Sequence, residues 1–173
     1  MTDSANNWPV RAAHVHDADA IVRIYNHYIT TSVITFEEQT LSAAEMAQRI
    51  TDVKALGLPW LVAEKDGDVL GYAYATRWKP RIAYRYSVEI TVYMAPGQAG
   101  KGTGTALYAE LFRLLRACGV HAGDRVDSID GSVAAHPQDV EQCLRAGLVA
   151  GDALEARPLD EVCGARLVVG VEL

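Results

Sequence analysis

Apolar residues recur at helical and strand spacings along most of the first 120 positions, and the changes of period mark out the elements. From Asp17, the residues Ala20, Ile21, Ile24, Tyr25 and Tyr28 fall three and four apart and predict a helix with one buried face. Pro9 to Ala13, just before it, alternates weakly and predicts a short first strand. Ser42-Ala43-Ala44-Glu45 has the spacing of a capping box, so a second helix should begin there and end near Gly57. The runs Trp60 to Glu64 and Val69 to Ala75 flank Asp66-Gly67, a pair that accepts positive φ, and this predicts a tight antiparallel hairpin. Ser87 to Met94 is a further β-rich run. It leads into a glycine-rich turn and then a helix whose apolar positions are Ala106, Leu107, Leu111, Leu114, Leu115 and Cys118. Beyond Gly119 the periodicity blurs into a weak strand near Arg125 to Ile129, a helix over Val133 to Arg145 and Val-rich pieces up to Leu173. Strands alternating with helices, with a hairpin among them, imply a mixed α/β sheet covered by helices on both faces.

Composition narrows the class. The 173 residues suit one domain, here taken as 1–173, and 50% hydrophobic with 22% charged residues excludes intrinsic disorder. No apolar run approaches the length of a spanning helix, and the opening segment has neither a basic nor an apolar leader region, so a cytoplasmic protein without a membrane partner is expected. Sixteen Lys and Arg against 22 Asp and Glu give a formal charge of −6, which opposes binding to nucleic acid. Cys118, Cys143 and Cys163 form no CxxC pair and read as reduced, buried thiols, with no metal site expected.

Candidate chemistry begins at Gly97-Gln98-Ala99-Gly100-Lys101-Gly102-Thr103-Gly104-Thr105. Four glycines let the main chain turn several N–H groups toward one point, and the following helix adds the positive end of its dipole. Such a turn suits a phosphate or pyrophosphate, although neither the P-loop nor the GxGxxG spacing is present. In the preceding strand, Glu89 must point away from Val88 and Ile90, into an otherwise apolar or β-branched segment. A buried carboxylate there is costly without a partner or a task, and an exposed strand face is the competing explanation.

SVEITVYMAP followed by G-x-G-x-G and ALYAEL resembles the acetyl-CoA motif of the GNAT superfamily of N-acetyltransferases. Asn26-His27-Tyr28-Ile29, Pro59 to Glu64, Gly71 to Ala75, Trp78-Lys79-Pro80-Arg81 with Ala83-Tyr84, and Val88-Glu89 with Val92-Tyr93 narrow it to the phosphinothricin N-acetyltransferase family, over roughly residues 10–120. The resemblance implies the GNAT (acyl-CoA N-acyltransferase) fold, with a mixed, mostly antiparallel sheet. It also implies acetyl transfer from acetyl-CoA, as cosubstrate, to the α-amine of a small glutamate-like acid, by a homodimer. Glu89 would be the base and His136 a second catalytic group. Val92, Tyr93 and Met94 would align the pantetheine arm, while Gly100, Lys101, Gly102, Thr103, Gly104 and Thr105 would hold the pyrophosphate. Phe36, Tyr74, Lys79, Arg81 and Tyr84 would border the acceptor. His14 and His16 are expected in solvent, and His27 to pack or hydrogen-bond.

The chain also departs from that family. Ala99 stands where the family carries Arg or Gln, which leaves Gln98 or Lys101 to replace a phosphate contact. In the divergent C-terminal third, residues 121–173, Pro137 follows His136 where Glu is expected, and no Trp follows Trp78. Real divergence and a changed reading frame after about Ala122 both account for this tail. A catalytically impaired CoA-binding relative, or transfer to another small amine, are the rival functions.

Overall fold

The computed structural model describes residues 9–32, 35, 37–77 and 88–117, together with the backbone of short strands at 125–128, 148–149, 157–158 and 166–170. The order is β1 (Val10–Ala12), a 3-10 turn (Val15–Asp17), α1 (Ala18–Thr31), α2 (Ala43–Ala55), β2 (Trp60–Lys65), β3 (Asp68–Arg77), β4 (Val88–Met94), α3 (Thr103–Ala117), β5 (Arg125–Ser128), β6 (Leu148–Val149), β7 (Arg157–Pro158) and β8 (Arg166–Gly170). The expected helix over 133–145 lies outside the described residues.

Local chemistry accounts for several boundaries. Ser42 accepts from the Glu45 N–H at 3.2 Å while the Glu45 carboxylate accepts from the Ser42 N–H at 2.7 Å, so the capping box starts α2 as its spacing requires. Asp66 and Gly67 both take positive φ, 56° and 89°, and their twist closes the β2–β3 hairpin.

The sheet runs β1-β2-β3-β4-β8-β5, with β6 and β7 in a separate two-stranded ladder, and every one of these pairings is antiparallel. Strands β2, β3 and β4 are central, and alternation along β4 divides the core in two. Val88, Ile90, Val92 and Met94 pack with Leu107, Leu111 and Leu115 of α3 on one face. Tyr93 lies on the opposite face with Tyr72, Trp60 and the inner sides of α1 and α2. Helices therefore cover both faces, as the sequence predicts. No helix of the described residues is long and apolar enough to cross a membrane.

At Gly71 the absence of a side chain is a packing requirement. A Cβ there would meet Met94 Sδ at 2.7 Å and the Tyr93 carbonyl oxygen at 2.9 Å, so β3 and β4 close up only because this position is glycine. On the outer side, the Arg11 guanidinium joins Asp17, at 2.8 Å through both terminal nitrogens, to Glu64 of β2. This pins the 3-10 turn to the sheet, and the Arg11 hydrogen bonds hold the Asp17 carboxyl down at about 2.

Candidate functional site

Strand β4 carries three features in succession. The first is Glu89, 4% exposed, whose partner across the β3–β4 ladder is Thr76. Directly paired residues in such a ladder project from the same face, and Thr76 lines a cavity beneath α2. Glu89 thus faces the α1/α2 side, away from Val88 and Ile90, as its place in the alternation requires.

The second feature is the outer edge of the same strand. Among the described residues β4 pairs with β8 from Val88 to Thr91, and on its other side with β3 from Val88 to Met94. The Ala95 N–H donates to the Leu70 carbonyl at 2.8 Å, so alternation turns Tyr93 toward β3 as well and the N–H groups of Val92 and Met94 toward the β8 side.

The third is the glycine turn. Gly97, Gly100 and Gly102 have φ of 74°, 78° and 82°, conformations that L side chains rarely take. The first intrahelical bond runs from the Ala106 N–H to the Gly102 carbonyl at 3.1 Å, which leaves the N–H groups of Thr103, Gly104 and Thr105 as the orphan donors of the first turn of α3. Thr103 is fully buried, and its hydroxyl has no hydrogen-bond partner among the described residues. Orphan donors, helix dipole and exposed glycines fit a pyrophosphate. Lys101 donates to the Gln98 side chain at 3.0 Å, so the two residues expected to replace the side chain missing at Ala99 bind each other at the mouth of the turn.

The remaining expectations divide by location. Tyr74 is half-buried, stacks on Trp60 with ring centroids 4.3 Å apart, and forms a wall of the cavity. His14 and His16 are exposed and stack on each other, and His27 packs its edge against the Tyr28 ring at 5.4 Å. Phe36, Lys79, Arg81, Tyr84 and His136 lie outside the described residues.

Sequence reasoning passed over one cation. Arg49 of α2 lines the same cavity, donates to Glu37 at 2.8 Å and stands 5.8 Å above the Tyr25 ring. Burial, reinforced by the Glu37 charge, pushes the Tyr25 hydroxyl up to about 12. The available signal was a charge at position 49 within the apolar stripe of Met46, Ile50 and Val53.

Comparison with known proteins gives the family. The model of the acetyltransferase (GNAT) family matches residues 21–135. A phosphinothricin N-acetyltransferase of Alcaligenes faecalis is 46% identical over 102 residues, 59% of this chain and 52% of the relative. An L-methionine sulfoximine/L-methionine sulfone acetyltransferase of Salmonella typhimurium is 35% identical over 112 residues, 65% of this chain and 66% of the relative. The chain therefore spans between about half and two-thirds of the length of these curated relatives. A Sinorhizobium meliloti phosphinothricin acetyltransferase, solved in complex with acetyl-CoA, superposes with a TM-score of 0.65 at 30% identity, covering 94% of this chain and 88% of that one.

Proposed function

The chain belongs to the acetyltransferase (GNAT) family, and from that premise we propose that it moves acetyl from acetyl-CoA to the α-amine of a small glutamate-like amino acid, of the phosphinothricin or methionine sulfoximine type. The observation that carries this reading is the succession along β4: a buried carboxylate, Glu89, on one face, then the strand end at Val92–Met94, then the glycine turn into α3. The names of the similar proteins supply the acceptor class.

Each part has a task. The N–H groups of Gly100 to Thr105 hold the pyrophosphate by hydrogen bonds that a net charge of −6 does not prevent, since they act at contact distance. The edge at Val92, Tyr93 and Met94 pairs with the pantetheine arm and holds the thioester in line with the amine. Glu89 takes the proton of the acceptor's ammonium, directly or through one water, because only the neutral amine has a lone pair for attack on the thioester carbon. The C–N bond forms, the C–S bond breaks, and CoA leaves as the thiol after taking up a proton. His136 is the candidate for delivering that proton, and Phe36, Tyr74, Lys79, Arg81 and Tyr84 enclose the acceptor. The same reading carries a cytoplasmic homodimer that uses no metal and binds neither nucleic acid nor membrane.

Thiol release from acetyl-CoA with phosphinothricin, methionine sulfoximine and glutamate tests the proposal. Release by the wild type, with kcat reduced about 100-fold or more in Glu89→Gln, is expected. Thermal stabilisation by CoA without release for any amine would instead make this a CoA-binding relative, and an unimpaired Glu89→Gln would remove that residue from the mechanism.

A further inference from the structure

The cavity between α2 and β3 measures about 210 Å³, the size for one short side chain and not for a second nucleotide. Its walls are mostly apolar and aromatic. Trp60, Tyr72 and Tyr74 stand in a stacked row across β2 and β3, and Tyr25 of α1 closes the side opposite. One cationic side chain, Arg49, and one carboxylate, Asp52, reach this space among the described residues, and Asp52 accepts from the Gln48 side chain at 2.8 Å. The guanidinium bonds Glu37 through Nη1, lies over the Tyr25 ring and engages the Tyr25 hydroxyl, so its fork is held in place. Trp60 is 3% exposed, and its indole N–H has no hydrogen-bond partner among the described residues. The wall thus holds one unmet donor among the described residues.

At the other end the cavity reaches Thr76, the cross-strand partner of Glu89. A molecule whose side chain fills the cavity therefore has its α-carbon beside the face from which Glu89 projects. An apolar stem fits the aromatic walls, and a negatively charged oxygen tip fits Arg49.

We propose that this cavity is the subsite for the acceptor's side chain and that Arg49 is the residue that selects an oxyanion at its tip, a carboxylate or a phosphinate. The proposal rests on the acetyl-transfer reading and deepens it, since it assigns specificity to a helix α2 position that the sequence comparison does not mark. Glu37 occupies the guanidinium when no acceptor is bound and competes with the incoming anion. The oxyanion takes donors of the fork in a charge-assisted pair that stays partly hydrated, since the Arg49 side chain is 40% exposed.

The test compares acceptors that share the α-amino acid end and differ at the tip, glutamate and phosphinothricin against norleucine, with the full chain and saturating acetyl-CoA. Arg49→Met should lower kcat/KM for the oxyanion-tipped acceptors about tenfold or more, the loss of a charge-assisted hydrogen bond, while norleucine changes less than about twofold. Arg49→Lys should fall between, because a point charge replaces a fork. Glu37→Gln should lower KM for the oxyanion-tipped acceptors by removing their competitor. The KM for acetyl-CoA should stay constant throughout. An equal loss for glutamate and norleucine in Arg49→Met overturns the proposal, and so does a loss for norleucine that disappears in norleucinamide, since Arg49 would then be reading the α-carboxylate. If no acceptor is turned over, the acetyl-transfer reading fails by itself. Calorimetric binding of glutamate and norleucine then decides the subsite: weakening of glutamate alone in Arg49→Met supports it, and unchanged glutamate binding overturns it.

Discussion

The Tyr28 hydroxyl donates a 2.7 Å hydrogen bond to the main-chain carbonyl of Met94, joining the middle of the sequence to its first helix across 66 positions. Met94 is the last residue of β4, and the turn that follows carries the glycines. The bond therefore ties the α1 side of the core to the point where the strand opens toward the helix α3 terminus. Tyr28 also packs on the Tyr93 ring at 5.1 Å, so the hydroxyl is held by its ring and not by the bond alone.

Removing that hydroxyl tests its weight. Tyr28→Phe keeps the ring packing and takes away one buried hydrogen bond, so urea unfolding should show a loss of about 1 kcal/mol, and the KM for acetyl-CoA should rise a few-fold as the end of β4 loosens. An unchanged midpoint and an unchanged KM would mean that ring packing alone places this strand end.

Gly71→Ala attacks the same strand from its partner. The added methyl collides with Met94 Sδ, which can move, and with the Tyr93 carbonyl oxygen, which is backbone and can move only with β4. Destabilisation of about 1–3 kcal/mol is expected, with weaker acetyl-CoA binding, because Val92–Met94 must shift. Wild-type stability and wild-type KM together would show that the two strands are not in close register at this point.

At Gly100 the space is open, and only the backbone resists substitution. A Cβ meets nothing within 4 Å, but φ is +78°. Gly100→Ala should cost about 1 kcal/mol through this strain alone, and acetyl-CoA should bind several-fold more weakly if the turn relaxes toward negative φ. Isothermal titration with CoA, beside a denaturation curve, separates the two effects. Unaltered affinity would mean that the N–H groups of α3 bind the pyrophosphate without help from Gly100.

The acid limb of the stability curve should report Asp17. Its carboxyl is held at about 2, against 3.8 for the free group, chiefly by the Arg11 hydrogen bonds. A group whose pKa is lowered in the folded state stabilises that state when ionised, so its contribution is complete above about pH 4 and is lost as pH falls toward 2. At neutral pH the contribution is about 2 kcal/mol, and Asp17→Asn should remove it and flatten stability between pH 4 and 2. The same pH slope in the variant would assign acid unfolding to other carboxylates.

The features legible in advance are those that short stretches of chain decide. Ser42 and Glu45 meet because three residues separate them on a helix. Asp66-Gly67 turns because both residues accept positive φ. Glu89 faces away from Val88 because a strand alternates. The glycines after Met94 mark a turn because Gly97, Gly100 and Gly102 take positive φ, which other residues rarely adopt.

What only the tertiary structure decided depends on which distant segments become neighbours. That β8 pairs with β4 from Val88 to Thr91 joins strands more than 70 residues apart, and no local period encodes it. Arg49 reads in sequence as a charge on a surface helix. Packing of α2 against α1 and β2 brings it over the same cavity as Tyr25, Trp60 and Tyr74, because helix orientation on a sheet is settled by the shape of the whole buried face. By itself the sequence determined the family, the β4–turn–α3 unit and the residue offered as base. The side-chain subsite came from the fold, where burial and neighbouring charge give one arginine a role that its position in the chain does not announce.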